Sequence, residues 1–136
     1  MNIEEISQTL PNGFHDAYLQ SLWINYAKHE AVFALELWVG DLNSEDLAKR
    51  EAYKHGRLKL EGFLYCVIEP PDISPDGKSR LKEGPLWITA DSSDFGELKS
   101  YPLLPEPENG FRHWFFINNH NCFIYIAAAH ASFEWE

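Results

Sequence analysis

From Phe123 to Ala131 the chain is apolar on both faces of a strand. A strand can be dry on both sides only inside a sheet that is covered above and below. This run therefore constrains the fold more than any other, and it places Cys122 to about Phe133 as an interior strand. Its Ala127, Ala128, Ala129 and Ala131 are small. Such residues let a helix pack close, or leave room for a ligand.

The remaining runs supply its neighbours. Ala31 to Val39 alternates, with Phe33, Leu35, Leu37 and Val39 on one face. Tyr18 to Tyr26 alternates as well, with Tyr18, Leu22, Ile24 and Tyr26 together, Gln20 as the polar exception and Trp23 on the opposite face. Lys28, His29 and Glu30 between the two runs read as a hairpin turn. Arg57 to Glu69 is a further strand, interrupted by Gly62 where a bulge is expected and stopped by Pro70 and Pro71. Leu86 to Ala90 and Phe111 to Ile117 are two more, the latter followed by a turn at Asn118 to Asn121.

Helical signals are few. Ile3, Ile6 and Leu10 recur at helical spacing before Pro11, Asn12 and Gly13, which predicts a short helix over Asn2 to Leu10. Ser44 followed by Glu45 and Asp46 can start a second, Asp46 to His55, although a charged loop fits equally. No βαβ alternation is visible, so a parallel sheet is not expected. The expected fold is mainly β, with α+β open: about six antiparallel strands in a sheet assembly or sandwich, one or two short helices, and a single domain over 1–136.

Charge narrows the partners. The formal net charge is −10, from 21 acidic and 11 basic residues. Nucleic acid and anionic membrane surfaces need clustered cations, so neither is an expected partner. A basic protein is compatible, because opposite fields speed encounter. Asp91, Asp94, Glu97, Glu106 and Glu108 face only Lys99 in the stretch 91–109. That stretch reads as a proline-punctuated loop and as the candidate acidic contact surface, although solvated charge is the plainer reading. No run approaches membrane-span length, and residues 1–10 lack the apolar segment of a signal peptide, so a cytoplasmic location is expected.

Motifs that would specify a reaction are missing. There is no GxSxG, P-loop or GxGxxG. Cys66 and Cys122 lie within strands without zinc spacing, and both read as reduced, buried thiols, with a disulfide open if their strands are neighbours. His15 and Asp16 could pair as base and orienter or hold a metal, against a structural reading in which Asp16 caps a turn. His113 and His130 could approach each other only in an offset register. Together these four form a candidate polar site, with no metal or other cofactor implied. Among the tryptophans, several lie opposite the apolar faces, where exposed rings can serve as contact points.

Two stretches carry a resemblance. Gly13-Phe14-His15-Asp16-Ala17-Tyr18-Leu19 opens the first strand, and Arg112-His113-Trp114-Phe115-Phe116-Ile117-Asn118 precedes Phe123-Ile124-Tyr125-Ile126-Ala127-Ala128. This pattern, over 13–40 and 111–131, resembles small uncharacterised bacterial proteins, some of them similar to immunity proteins of polymorphic toxin systems. The resemblance implies a cytosolic, non-enzymatic protein that binds and neutralises a toxin, and carries over no catalytic residues. The alternatives are a small-molecule-binding domain with its pocket beside the alanine-rich strand, and a metal-dependent enzyme using His15 and Asp16.

Overall fold

The computed structural model describes residues 1–72, 83–96 and 103–136. In chain order the elements are α1 (Ile3–Thr9), β1 (Ala17–Asn25), β2 (Glu30–Trp38), α2 (Leu47–Arg50), β3 (Tyr53–Glu61), β4 (Tyr65–Ile68), β5 (Leu86–Asp91), α3 (Ser92–Phe95), β6 (Phe111–Ile117), β7 (Cys122–Ala128) and β8 (His130–Trp135). A 3₁₀ turn at Asn118–His120 joins β6 to β7, with Asn121 left-handed at φ 47°. No helix among the described residues is long and apolar enough to cross a membrane.

Among the described residues eight strands belong to one antiparallel sheet, ordered β4-β7-β6-β5-β1-β2-β3-β8. Its two ends are not independent. β3 runs into β4 through Gly62, Phe63 and Leu64, and β7 runs into β8 through Ala129 alone. β3 pairs with β8, and β4 pairs with β7. The two ladders are bridged where the Ala129 amide donates to the carbonyls of Glu61 and Gly62, and where the Leu64 amide donates to Ala127. Residues 53–68 and 122–135 are thus two long bent strands paired with each other. Together with β1, β2, β5 and β6 they close the described sheet on itself as a ring of six strands.

Gly62 occupies the bend at φ +60°, and a Cβ there would meet that of Ala129 at 2.6 Å. The bulge expected at Gly62 is therefore the corner that turns β3 into β4. The strand begins at Tyr53 rather than Arg57, which leaves α2 only four residues, Leu47–Arg50.

The ring interior is the core. It includes Leu19, Phe33, Leu35, Leu58, Leu60, Ile88, Phe115 and Ile124, all essentially dry. α1 adds Ile3 and Ile6 to the same cluster, and its C-cap adds Leu10. Burying each of these apolar side chains stabilises the fold by roughly 1.5–3 kcal/mol. Asn2 caps α1, its side chain accepting from the Glu5 amide at 2.7 Å. Near α1 the Ala131 amide donates to the Met1 carbonyl at 2.7 Å.

The double-faced run behaves as expected over its first half. β7 lies between β4 and β6, with one face in the ring core. On the other face Trp114 and Tyr125 form a second cluster with Tyr65, Phe116, Phe123 and Leu104. The second half differs. The expected single strand breaks at Ala129, and β8 pairs on one side only, with β3.

β1 holds another correction. Its pairing with β2 shifts between Leu19 and Ser21, so Gln20 is the extra residue of a bulge. Ala17 and Leu19 face the core before it, Leu22 and Ile24 after it. Tyr18 therefore points away from the face it was expected to share with Leu22.

Cys66 and Cys122 are both free thiols. Their strands are neighbours, but Cys66 lies opposite Ile126, four positions from Cys122 along β7. That offset is about 13 Å, too far for a disulfide. Burial pushes the Cys66 thiol up to about 11.

Candidate functional site

Three elements meet around a cleft of about 490 Å³, between α1, the turn before β1, and α3. α1 contributes Glu4, Ser7 and Gln8, the turn contributes Asn12 and His15, and Thr89, Ser93, Asp94 and Phe95 line the opposite wall.

The turn is held by its own polar groups. The Ala17 amide donates to the Phe14 carbonyl at 3.1 Å, and Asp16 sits in the left-handed region at φ 59°. Such a backbone is uncommon for a residue with a Cβ, and it persists only where surrounding contacts determine it. Here they do. Trp87 Nε1 donates to Asp16 Oδ1 at 2.9 Å, and the Tyr53 hydroxyl donates to the Asp16 carbonyl at 3.2 Å. Burial, then the nearby Tyr18 and Asp16, raise the Tyr53 hydroxyl to about 12, so it stays protonated as a donor. The remaining carboxylate oxygen, Oδ2, lies 3.0 Å from His15 Nδ1. His15 is thus oriented by an anchored carboxylate at the edge of the cleft, and its side chain is 56% exposed.

The opposite wall rests on a buried pair. Asp91 ends β5 and His113 lies in β6, each only 2% exposed, with Oδ2 and Nε2 2.8 Å apart. Ser93 Oγ donates to the same carboxylate oxygen at 3.1 Å. α3 is fastened to β6 as well: the Trp114 amide donates to Ser92 Oγ, and Trp114 Nε1 donates to the Gly96 carbonyl at 2.6 Å. Phe95 stacks near Trp114 with ring centroids 6.2 Å apart, yet remains 71% exposed. The Asp94 carboxyl, open to solvent on one side, is raised above its ordinary value. Partial desolvation is the main cause and the negative charge of Asp91 the next; His15 and His113 oppose the shift.

The expected site residues are thus redistributed. His15 and Asp16 do form a pair. His113 pairs with Asp91 and not with His130, which is exposed in β8 opposite Glu61. The acidic stretch is not one surface. Asp91 is a core residue at the end of a strand that was expected to stop at Ala90, so it is not part of a loop. Asp94 belongs to α3 and to the cleft, Glu106 lies 3.9 Å from Arg112, Glu108 is exposed, and Glu97 falls outside the described residues. Glu4, Thr89 and Ser93 were not anticipated. Extending β5 by one residue would have brought in Asp91, but nothing local in the sequence links it to His113, 22 positions away.

Chemically, the described lining of the cleft offers two carboxylates, three hydroxyls, two amides and an imidazole, with no lysine or arginine among the described residues. Such a lining suits a cationic group rich in hydrogen-bond donors. Among the described residues no group of three His, Cys, Asp or Glu side chains is arranged to hold a metal ion.

No known protein family matches the chain, and no curated protein matches it. Among solved structures it is similar to an uncharacterised protein from Neisseria gonorrhoeae, at 16% identity and a TM-score of 0.48, over 89% of this chain and 92% of that one.

Proposed function

We propose that this chain is a non-enzymatic, cytosolic binding protein that holds a basic protein partner, as an immunity protein holds its toxin. The cleft between α1 and α3 is where a lysine or arginine of that partner inserts. One observation carries the reading: in a chain with net charge −10, the cleft of about 490 Å³ is lined by Glu4 and Asp94 and, among the described residues, by no lysine or arginine, with an exposed Phe95 at its edge. Acidic steering and a buried cation–carboxylate contact would supply on-rate and register, and the aromatic edge apolar area.

The test is a calorimetric titration with an arginine-rich peptide, comparing the parent with E4Q/D94N and with the control E45Q/E83Q. The control removes the same formal charge at exposed positions away from the cleft lining. The cleft variant is expected to bind at least fivefold more weakly while the control stays within twofold. Equal losses in both would mean that only the overall charge attracts the peptide, and would sink the assignment. A second reading, a small cationic molecule in the same cleft, is favoured by its volume, which lies in the usual range for ligand pockets. Competition between free arginine amide and the peptide separates the two.

A further inference from the structure

A second region of the surface carries its own complementarity, and the cleft reading does not use it. β1, β2, β3 and β8 are consecutive in the sheet, and their outward side chains form cross-strand rows. In one row Trp23 lies opposite Val32, Val32 opposite Lys59, and Lys59 opposite Ser132. Trp23 is 69% exposed, although residues of its type are normally largely covered. At the far end of the row Ser132 is short and exposed, with Arg57, Lys59 and Glu134 nearby, and a groove of about 340 Å³ runs across the face. The row therefore ends in a large aromatic knob on one side and a notch flanked by cations on the other.

The knob cannot reach the notch of its own chain. Three strand spacings separate β1 from β8, about 14 Å. A two-fold axis parallel to the strands, between β2 and β3, exchanges β1 with β8. It seats each Trp23 over the other copy's Ser132, beside Arg57 and Lys59, where the indole face meets cations. Lys59 is shared between Glu30 and Glu61, and Arg57 is paired with Glu136, so both cations are held on this face where the indole arrives. With Glu134 the face still carries more carboxylates than cations, so a second acidic copy meets repulsion here.

We infer that the outer face of β1-β2-β3-β8 is a self-association surface, on which two copies of this chain exchange Trp23 into the Ser132 notch. Four strands by five residues cover about 19 Å by 17 Å, so the interface is small and the dimer weak and concentration-dependent. Two copies that each carry −10 repel at long range. Added salt screens that repulsion and tightens the dimer, whereas it weakens peptide binding at the cleft.

Sedimentation equilibrium from about 10 µM to 1 mM, at low and moderate salt, tests this with the parent, W23A and S132W. The parent mass should rise from 15.7 kDa towards twice that value. W23A removes the knob and S132W fills the notch, and each should weaken association at least tenfold. Both positions are exposed, so unchanged circular dichroism melts should accompany the loss. An equimolar mixture of the two variants restores one knob and one notch and fills the other pair in reverse, so it should recover dimer. A parent that stays monomeric throughout, a W23A dimer as tight as the parent's, or a mixture that does not recover would each overturn the inference. Peptide binding by monomeric W23A stays as in the parent, so failure here and failure of the cleft reading are separate results.

Discussion

One His–Asp pair, His15–Asp16, sits at the edge of the cleft and the other, Asp91–His113, is buried behind its opposite wall, and their burial gives them different weights. His15–Asp16 is solvated, so screening leaves its attraction worth under about 1 kcal/mol. Asp91–His113 is dry, and removing one member of a buried pair strands the other at a cost of roughly 3–5 kcal/mol. His15→Ala is therefore expected to melt close to the parent and His113→Ala far below it. Equal melts by differential scanning calorimetry would contradict this account of the two walls. Asp94 gives a pH dependence with a definite sign. Its carboxyl is raised in the fold, so the folded chain holds that proton more tightly than the unfolded chain does. The stability this contributes is fully present below the ordinary carboxyl value of 3.8 and is lost as pH rises through the raised one. Near neutral pH, Asp94→Asn should then melt slightly higher than the parent, by no more than about 0.5 kcal/mol because solvent screens the site. That advantage should vanish below 3.8. A variant that melts lower near neutral pH would show the ionised carboxylate to be favoured in the fold instead.

At the scale of elements, what could be read from the sequence was whatever the chain records locally. β2 alternates without a break, and Phe33, Leu35 and Leu37 of its core face could be read directly, although the face begins at Ala31 and the expected Val39 lies beyond the strand and is only half-buried. α1 was legible from three spaced apolar residues and its stop signal. The bulge at Gln20 was visible as a polar exception, yet its consequence for Tyr18 was not, because an extra residue reverses every later side chain. The break at Ala129 has no local mark at all. It exists because β7 and β8 pair with the two arms of another bent strand, and no composition signal encodes that. The cleft suffered likewise: His15–Asp16 is adjacent in sequence and was found, while Asp91–His113 is made by the β5–β6 pairing and was not. Gly110 tests one such junction. It precedes the pair Phe111–Ala128 with φ 129°, and a Cβ there would run into the Ala128 carbonyl. Gly84 has a similar φ of +134° but nothing within 4 Å. Gly110→Ala should therefore lose about 2 kcal/mol or more beyond Gly84→Ala, since it adds a backbone clash to a comparable strain. Chemical denaturation of the two variants measures the difference.

For the whole molecule, ring closure decides how the chain folds and how it fails. The ladder that joins β8 to β3 is highly non-local, and its Arg57–Glu136 ion pair spans 79 positions of sequence. Closing so large a loop before any contact rewards it slows folding, which places this chain among the slower, non-locally paired domains. The same closure makes the strands interdependent. Without β8, β3 keeps β2 but loses its other ladder partner, and Leu58 and Leu60 lose Phe133 and Ala131, the residues opposite them. The amide contact from Ala131 to Met1, which ties the start of α1 to the sheet, goes with it. Truncation after Ala128 should therefore abolish cooperative unfolding rather than merely lower its midpoint. The near-ultraviolet signal of the buried aromatics should collapse even where far-ultraviolet strand signal persists. In the full chain, by contrast, tryptophan fluorescence and far-ultraviolet transitions should coincide, because Trp114 on the β6–β7 side and Trp135 on the β3–β8 side report on one closed structure. A truncated chain that still melts cooperatively, with both probes in step, would mean that β1 to β7 form a self-sufficient open sheet and that closure adds only an edge.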